Sequence, residues 1–268
     1  MAVACSTSAF RTDLDGALAR VAALGFDAVD LIVMPGWDHV SPDRLVEDFD
    51  AEASRVEELL AAHELTPIAV NCAFGHLHER EDEAANAARI DLVRAVGKLM
   101  NRLDVGVGAF FPGRKWSENP WERVLADTAA TAREILAVAD EAGVTLGIEL
   151  HYNTPFETVE QARRLLADVP ELPITYDPSH FAMQEIPLPE TADLLDRATH
   201  VHVRDAAPEK MCVPTGTGTV DFAWLAAALK QRDYRGHFSI EYLPNAEGDP
   251  GDAILNMRDI LAEHWGQC

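Results

Sequence analysis

Counted with a two-residue period, the stretch 144–151 (VTLGIELH) places Leu146, Ile148 and Leu150 on one pleat face and Thr145, Gly147, Glu149 and His151 on the other. A strand buried on both faces reads as continuous apolar sequence, so a face ending in a carboxylate and an imidazole needs a reason. Thr154-Pro155-Phe156-Glu157 follows at once and reads as a helix start, with Thr as cap, Pro at the first helical position and Glu three residues on. A strand that turns directly into a helix is half of a β/α unit.

The same alternation runs along the whole chain. Strands are predicted at Ala2–Ser6, Ala28–Val33, Pro67–Asn71, Val105–Phe110, the stretch just described, Ile174–Asp177, His200–Arg204 and Phe238–Tyr242. Helical spacing fills the intervals: Thr12 to Leu24, ending at Gly25; one helix from Ser41-Pro42 through Leu60; Glu81–Glu83 to about Leu103; Asn119-Pro120-Trp121-Glu122 to near Gly143; Phe156–Leu166; and stretches near Pro189–Arg197, Phe222–Arg232 and Ala253–Trp265. No linker or low-complexity tract interrupts the pattern, so residues 1–268 are expected to form a single domain.

Eight strands alternating with helices fit a doubly wound sheet or a closed barrel. The pleat faces favour the barrel. Strand after strand pairs an apolar face with a small or polar one: Ala4/Ser6, Ala28/Asp30, Ala69/Asn71, Gly106/Gly108, Gly147/Glu149, Thr175/Asp177, His200/His202 and Ser239/Glu241. A lumen that becomes polar at one rim accounts for this pattern, whereas an open sheet covered on both sides does not. No glycine-rich phosphate loop follows any strand. The expected class is an α/β (β/α)8 TIM barrel.

Composition narrows the function. At 268 residues and 48% hydrophobic, the chain suffices for one barrel, and no apolar run nears a membrane span. The start, MAVACSTSAF, reads as a first strand rather than a signal peptide. Cys5, Cys72, Cys212 and Cys268 lie far apart with no CxxC pair, the usage of reduced thiols in a cytoplasmic protein. A formal charge of −23, with no basic stripe, argues against nucleic-acid partners and leaves a small molecule as the expected ligand.

Barrel active sites sit at the carboxyl ends of the strands. Four consecutive ends, from the fifth to the eighth, offer Glu149, Asp177, His202 and Glu241. Three carboxylates and an imidazole on one rim repel each other unless a cation sits between them. An oxygen-rich set with one nitrogen suits a single Mn²⁺, Mg²⁺ or Co²⁺, with Zn²⁺ also accommodated.

GIELH (147–151), DPSH (177–180), HVHVRD (200–205), GTGTVDF (216–222) and FSIEY (238–242) together resemble the xylose-isomerase-like barrels of the sugar phosphate isomerase/epimerase superfamily, across nearly the whole chain. The resemblance implies that Glu149, Asp177, His202 and Glu241 bind one divalent metal and that Glu149 and Glu241 also move the proton. It further implies a homodimer, which is the superfamily's habit. The expected chemistry is isomerisation or epimerisation of a small sugar, ketose or related polyhydroxy carbonyl compound. A proton leaves the carbon beside the carbonyl through a metal-stabilised enediolate, and returns to the same or the neighbouring carbon. The alternatives are an inosose dehydratase-type lyase on the same scaffold and a non-catalytic barrel that binds a sugar or a partner. An endonuclease IV-like metal cluster needs more ligands than Asn71, Phe110 and Phe111 offer at the third and fourth strand ends.

Around this core, His180 resembles a substrate-binding histidine of the family, the alternative being a loop histidine bonded to backbone. His151 either touches substrate or orients Glu149. Lys210, in the loop after the seventh strand, is either a substrate contact or a solvated surface lysine. His200 lies deeper and reads as a satisfied interior histidine, and Asp205 either fixes an imidazole tautomer or caps its loop. Glu157 belongs to the expected helix cap. Trp37, Phe111 and Trp116 are candidate pocket walls. The epimerases place an arginine a few residues after the metal histidine, where this chain has Ala206-Ala207-Pro208, which weakens a free-sugar 3-epimerase reading.

Overall fold

The computed structural model describes residues 2–114, 117–244 and 250–265. Eight parallel strands close in sequence order: β1 (Val3–Ser6), β2 (Ala28–Val33), β3 (Thr66–Ala73), β4 (Val107–Phe111), β5 (Thr145–Glu149), β6 (Ile174–Tyr176), β7 (Ala198–Val203) and β8 (Phe238–Ile240), with β8 pairing back onto β1. This is a (β/α)8 TIM barrel. The outward strand faces carry residues such as Val29, Leu31, Val70, Leu146, Ile148, Val201 and Phe238. They merge with the inner faces of the surrounding helices into one continuous apolar core. The inward faces are small or polar except near the carboxyl rim, where Ile32 and Phe111 point into a cavity. No helix among the described residues is long and apolar enough to cross a membrane.

The ring of helices comprises α1 (Leu14–Ala23), α2 (Pro42–Glu47), α3 (Phe49–Ala62), α4 (Glu83–Arg102), α5 (Trp121–Ala142), α6 (Val159–Asp168), the short α7 (Ser179–Ala182), α8 (Phe222–Gln231) and α9 (Pro250–Trp265). The segment Leu188–Arg197 is a 3-10 helix rather than an α-helix. Ser41 caps α2 as its sequence predicts, but the expected single helix through Leu60 divides at Asp48. That residue leaves helical geometry (φ −146°) and caps α3 by accepting the Ala51 N–H.

Two further expectations are corrected. The helix after β5 starts at Val159, not near Phe156, because Thr158 and Gln161 form the reciprocal capping box. Thr154 instead closes a turn on the His151 carbonyl, and Glu157 accepts the Asn153 N–H. Gly106 precedes β4, and Gly108 within it does not face the lumen. Ala109 pairs with Asn71 and Gly147, while Gly108 lies level with the outward Val70 and Leu146. A Cβ on Gly108 would come within 2.7 Å of the Val70 side chain and 3.0 Å of that of Leu146, so glycine there makes room for the outward side chains of β3 and β5.

Candidate metal and substrate site

The carboxyl ends of β5 to β8 bring four of the predicted side chains into one cluster. Glu149, Asp177, His202 and Glu241 each present a ligand atom, and all four atoms lie within 4.8 Å of one another. Glu149 closes β5, Asp177 follows β6, His202 lies one residue from the end of β7, and Glu241 follows β8. His202 Nδ1 stands between the two glutamates, 2.9 Å from Glu149 Oε1 and 3.4 Å from Glu241 Oε2.

The fifth member of the cluster is Arg204, one residue past β7. Its guanidinium is fully buried. Nη1 donates to Glu241 Oε2 at 2.5 Å and to the Glu241 carbonyl at 3.0 Å, Nε donates to Ser179 Oγ, and Nη2 donates to His180 Nε2. Nη2 also lies 2.7 Å from Asp177 Oδ2 as an ion pair, although not aligned as a hydrogen bond, so that oxygen keeps its lone pairs open. Asn71, on the opposite wall, donates to Glu241 Oε1 at 2.8 Å. Each oxygen of Glu241 therefore has its own donor.

Burial penalises every charge here, and the partners decide the outcome. Burial alone would raise Glu149 and Glu241. The neighbouring His180 and the hydrogen-bonded His202 outweigh it for Glu149, and the charges of His202 and Arg204 do so for Glu241, so both are held below the ordinary carboxylate range. For Asp177 burial wins, pushing it up to about 6 despite Arg204. Burial would lower His202, but Glu241, Asp30 and Glu149 around it raise it well above the usual imidazole range. An imidazole so placed answers a demand for positive charge.

A divalent cation fits these residues. Three carboxylates against one guanidinium leave two negative charges, which a divalent ion cancels with His202 neutral. Asp177 Oδ2 is buried without a hydrogen bond, and ligands on opposite sides of such an ion stand roughly 4 Å apart, within the span of this cluster. The oxygen-rich donor set with one nitrogen matches Mn²⁺, Mg²⁺, Co²⁺ or Zn²⁺.

Above the cluster opens a cavity of about 430 Å³ whose floor includes Glu149, Glu241, Asn71 and Arg204. Trp37, Phe111, Met34 and Met183 supply apolar wall, and His151, Tyr152, Asn153 and Arg114 supply polar wall. The Trp116 expectation lies outside the described residues. His151 reaches the cavity, its Nδ1 2.5 Å from the Tyr152 carbonyl and its ring 3.8 Å from that of His180. His180 is fully buried beneath it, between Arg204 and Glu149. Lys210 is exposed, its backbone paired with Ala207, and it is not among the residues lining the cavity. His200 is interior, as expected, but only half satisfied: its Nε2 shares a hydrogen bond with Ser239, while its Nδ1 has no hydrogen-bond partner among the described residues. Asp205 caps its loop by accepting the N–H groups of Ala206, Gly216 and Gly218. Cys5, Cys72 and Cys212 are free thiols.

Two residues here were not singled out from sequence as site groups. Arg204 shares a face with His200 and His202 by simple alternation, a signal present in HVHVRD. Asn71 also falls on the lumen face by alternation with Ala69, but its pairing with Glu241, 170 positions away, has no sequence signal.

A closed (β/α)8 barrel with acid and imidazole groups gathered at the carboxyl ends of β5 to β8 defines a class, and the family model agrees: residues 18–262 match the xylose isomerase-like TIM barrel, so the chain belongs to that family. Within it, the chain is 26% identical over 247 residues to the L-ribulose 3-epimerase of Methylomonas sp. (strain DH-1), covering 87% of this chain and 80% of that protein. The fold superposes on a D-tagatose 3-epimerase-like protein with a TM-score of 0.78 at 22% identity, covering 98% of this chain and 97% of the other. It also superposes on the IOLI protein with a bound zinc atom, with a TM-score of 0.71 at 19% identity and 99% of each chain covered.

Proposed function

We propose that the protein is a divalent-metal-dependent isomerase or epimerase of a small ketose or related polyhydroxy carbonyl compound. One observation carries the reading: two buried glutamates, Glu149 and Glu241, share a metal-type cluster at the floor of a cavity of about 430 Å³. The sugar-epimerase relatives support the same class.

Glu149, Asp177, His202 and Glu241 would hold the cation. The chemistry a bound divalent ion supplies is Lewis-acid polarisation of the substrate carbonyl. The remaining work belongs to the chain's own groups. Glu149 and Glu241 flank the place where the reacting carbons would lie, one taking the proton next to the carbonyl and the other returning it from the opposite face. Asn71 and Arg204 hold Glu241 by both oxygens, which fixes the direction of its proton transfer. Arg204 adds positive charge beside the oxygens on which an enediolate's charge would spread. His151 orients substrate at the cavity wall, and His180 braces Arg204 from behind. Lys210 has no role in this reading.

The test begins with elemental analysis of wild-type protein and Glu241→Gln, purified without added metal. About one Mn, Mg, Co or Zn per chain, reduced in the variant, is expected. Ketoses and inososes are then screened in D2O for exchange of the proton beside the carbonyl. Absence of metal even after incubation with Mn²⁺ sinks the mechanism. Bound metal with no exchange on any candidate favours a non-catalytic sugar-binding barrel, and loss of water from an inosose favours the lyase.

A further inference from the structure

Below the rim, a second group of titratable side chains closes against the first. Asp30 stands in the middle of β2, in a strand that is otherwise apolar (AVDLIV), and it is fully buried. Neither of its carboxylate oxygens takes part in a hydrogen bond. A carboxylate withdrawn from water without donors is costly, so its surroundings must account for it. Its Oδ2 lies 3.4 Å from Nε2 of His202 and 3.9 Å from Nε2 of His200. The contact crosses the lumen, since β2 and β7 are separated by β1 and β8 in the barrel order. His200 is already occupied, its Nε2 bonded to Ser239 Oγ at 2.8 Å. Nε2 of His202 has no hydrogen-bond partner among the described residues, while Nδ1 of the same ring faces Glu149 and Glu241.

We propose that Asp30 is a positioning residue that accepts the Nε2–H of His202 from below and so aims the Nδ1 lone pair at the rim. A neutral imidazole carries one N–H and one lone pair, and an acceptor beneath Nε2 decides which nitrogen has which. Ligating histidines are commonly held this way by a carboxylate on the far nitrogen. The proposal rests on the metal reading of the rim. Asp30, His200 and His202 also offer three ligand-type atoms within 4.8 Å of one another, but the Ser239 bond already engages Nε2 of His200. The dyad accounts for the same atoms with nothing added.

The experiment measures Zn²⁺ affinity by competition with a chromophoric chelator for wild type, Asp30→Asn and Asp30→Ala, with circular dichroism to check folding. Both variants are expected to bind about 10–100-fold more weakly than wild type. Long-range ¹⁵N–¹H correlation on zinc-loaded wild type is expected to show the His202 Nε2–H proton shifted downfield from an unbonded imidazole N–H, as a hydrogen bond to a carboxylate requires, a readout independent of activity and of any variant. Wild-type affinity in both folded variants overturns the role of Asp30, as does zinc bound through Nε2 of His202. If the variants do not fold, the wild-type Nε2–H shift decides alone, and a proton at the position of an unbonded imidazole N–H overturns the role of Asp30. A wild type that binds no zinc, even at excess, overturns the rim reading itself and this proposal with it, which separates the two failures.

Discussion

Asn71, in β3, reaches across the barrel mouth to donate a 2.8 Å hydrogen bond to Oε1 of Glu241, which follows β8. The other oxygen of that carboxylate is held by Arg204. A base gripped by both oxygens keeps its lone pairs in fixed directions, which is what proton transfer at a single carbon requires. Asn71 is itself almost fully buried, so the contact is formed away from bulk water, where its geometry is best enforced.

Asn71→Ala is therefore expected to lower kcat more than it changes KM. One of two donors to the base is lost while the base remains, so a fall of roughly tenfold is expected, smaller than the 10²–10⁴ for loss of a general base in Glu241→Gln. Solvent proton exchange in D2O, followed over a range of substrate concentrations, separates the two parameters. Equal activity in Asn71→Ala and wild type would show that Arg204 alone orients Glu241.

Arg204→Gln carries an opposite pair of effects. The guanidinium pairs with Asp177 and Glu241, two of the proposed metal ligands, and cancels one of their charges. Without it the rim holds three uncompensated carboxylates, so Mn²⁺ or Zn²⁺ is expected to bind more tightly by calorimetry or chelator competition. Activity is expected to fall at the same time, because positive charge beside the developing oxyanion is lost. Weaker metal binding in a folded Arg204→Gln would mean that Arg204 builds the site rather than balancing it.

The barrel is legible in the sequence because side-chain alternation has an unambiguous period wherever one face carries distinctive groups. Glu149 and Glu241 stand out on such faces. Alternation carries no information where side chains are missing: Gly106 and Gly108 have none, and the pleat of β4 is one residue out of phase with the pattern they suggest. Caps compete locally, and the choice of Thr158 over Thr154 turns on where the β5–α6 loop directs Phe156, whose ring is buried against Trp121. Arg204 can be placed on the lumen by counting from His202, but its pairing with Asp177 and Glu241 depends on barrel closure. Asn71 and Asp30 have partners across the lumen, set by strand stagger rather than by any local motif.

Gly147→Ala tests strand contact directly beneath Glu149. A Cβ at this position would stand 2.8 Å from the carbonyl carbon of Ile174 and 2.9 Å from the Thr175 nitrogen. Those are backbone atoms of β6 and cannot swing aside. The substitution is expected to cost about 1–3 kcal/mol, read from urea midpoints, and to reduce metal affinity by displacing Glu149. A fully stable Gly147→Ala would mean that β5 and β6 can separate without penalty.

The loop that carries Met34 and Trp37 to the cavity wall is tied down by a carboxylate outside the site. Glu52, at the start of α3, is almost fully buried, accepts the Ser41 N–H at 2.9 Å and receives two hydrogen bonds from Arg55, which also donates to the His39 carbonyl. Burial alone would raise the Glu52 carboxyl; the bonds from Arg55 and Ser41 outweigh it and hold the group below its ordinary value. Because the pKa is lower in the folded than in the unfolded chain, the stabilisation is fully present above the ordinary glutamate value and is lost as pH falls through the folded one. Glu52→Gln is expected to lose about 1–3 kcal/mol near neutral pH, since the Arg55 charge then lacks its buried partner. The difference between variant and wild type should shrink as the pH drops below about 4. Thermal melts of both proteins across pH 3–7 measure this directly, and a pH-independent gap would assign the loss to packing rather than to the ion pair.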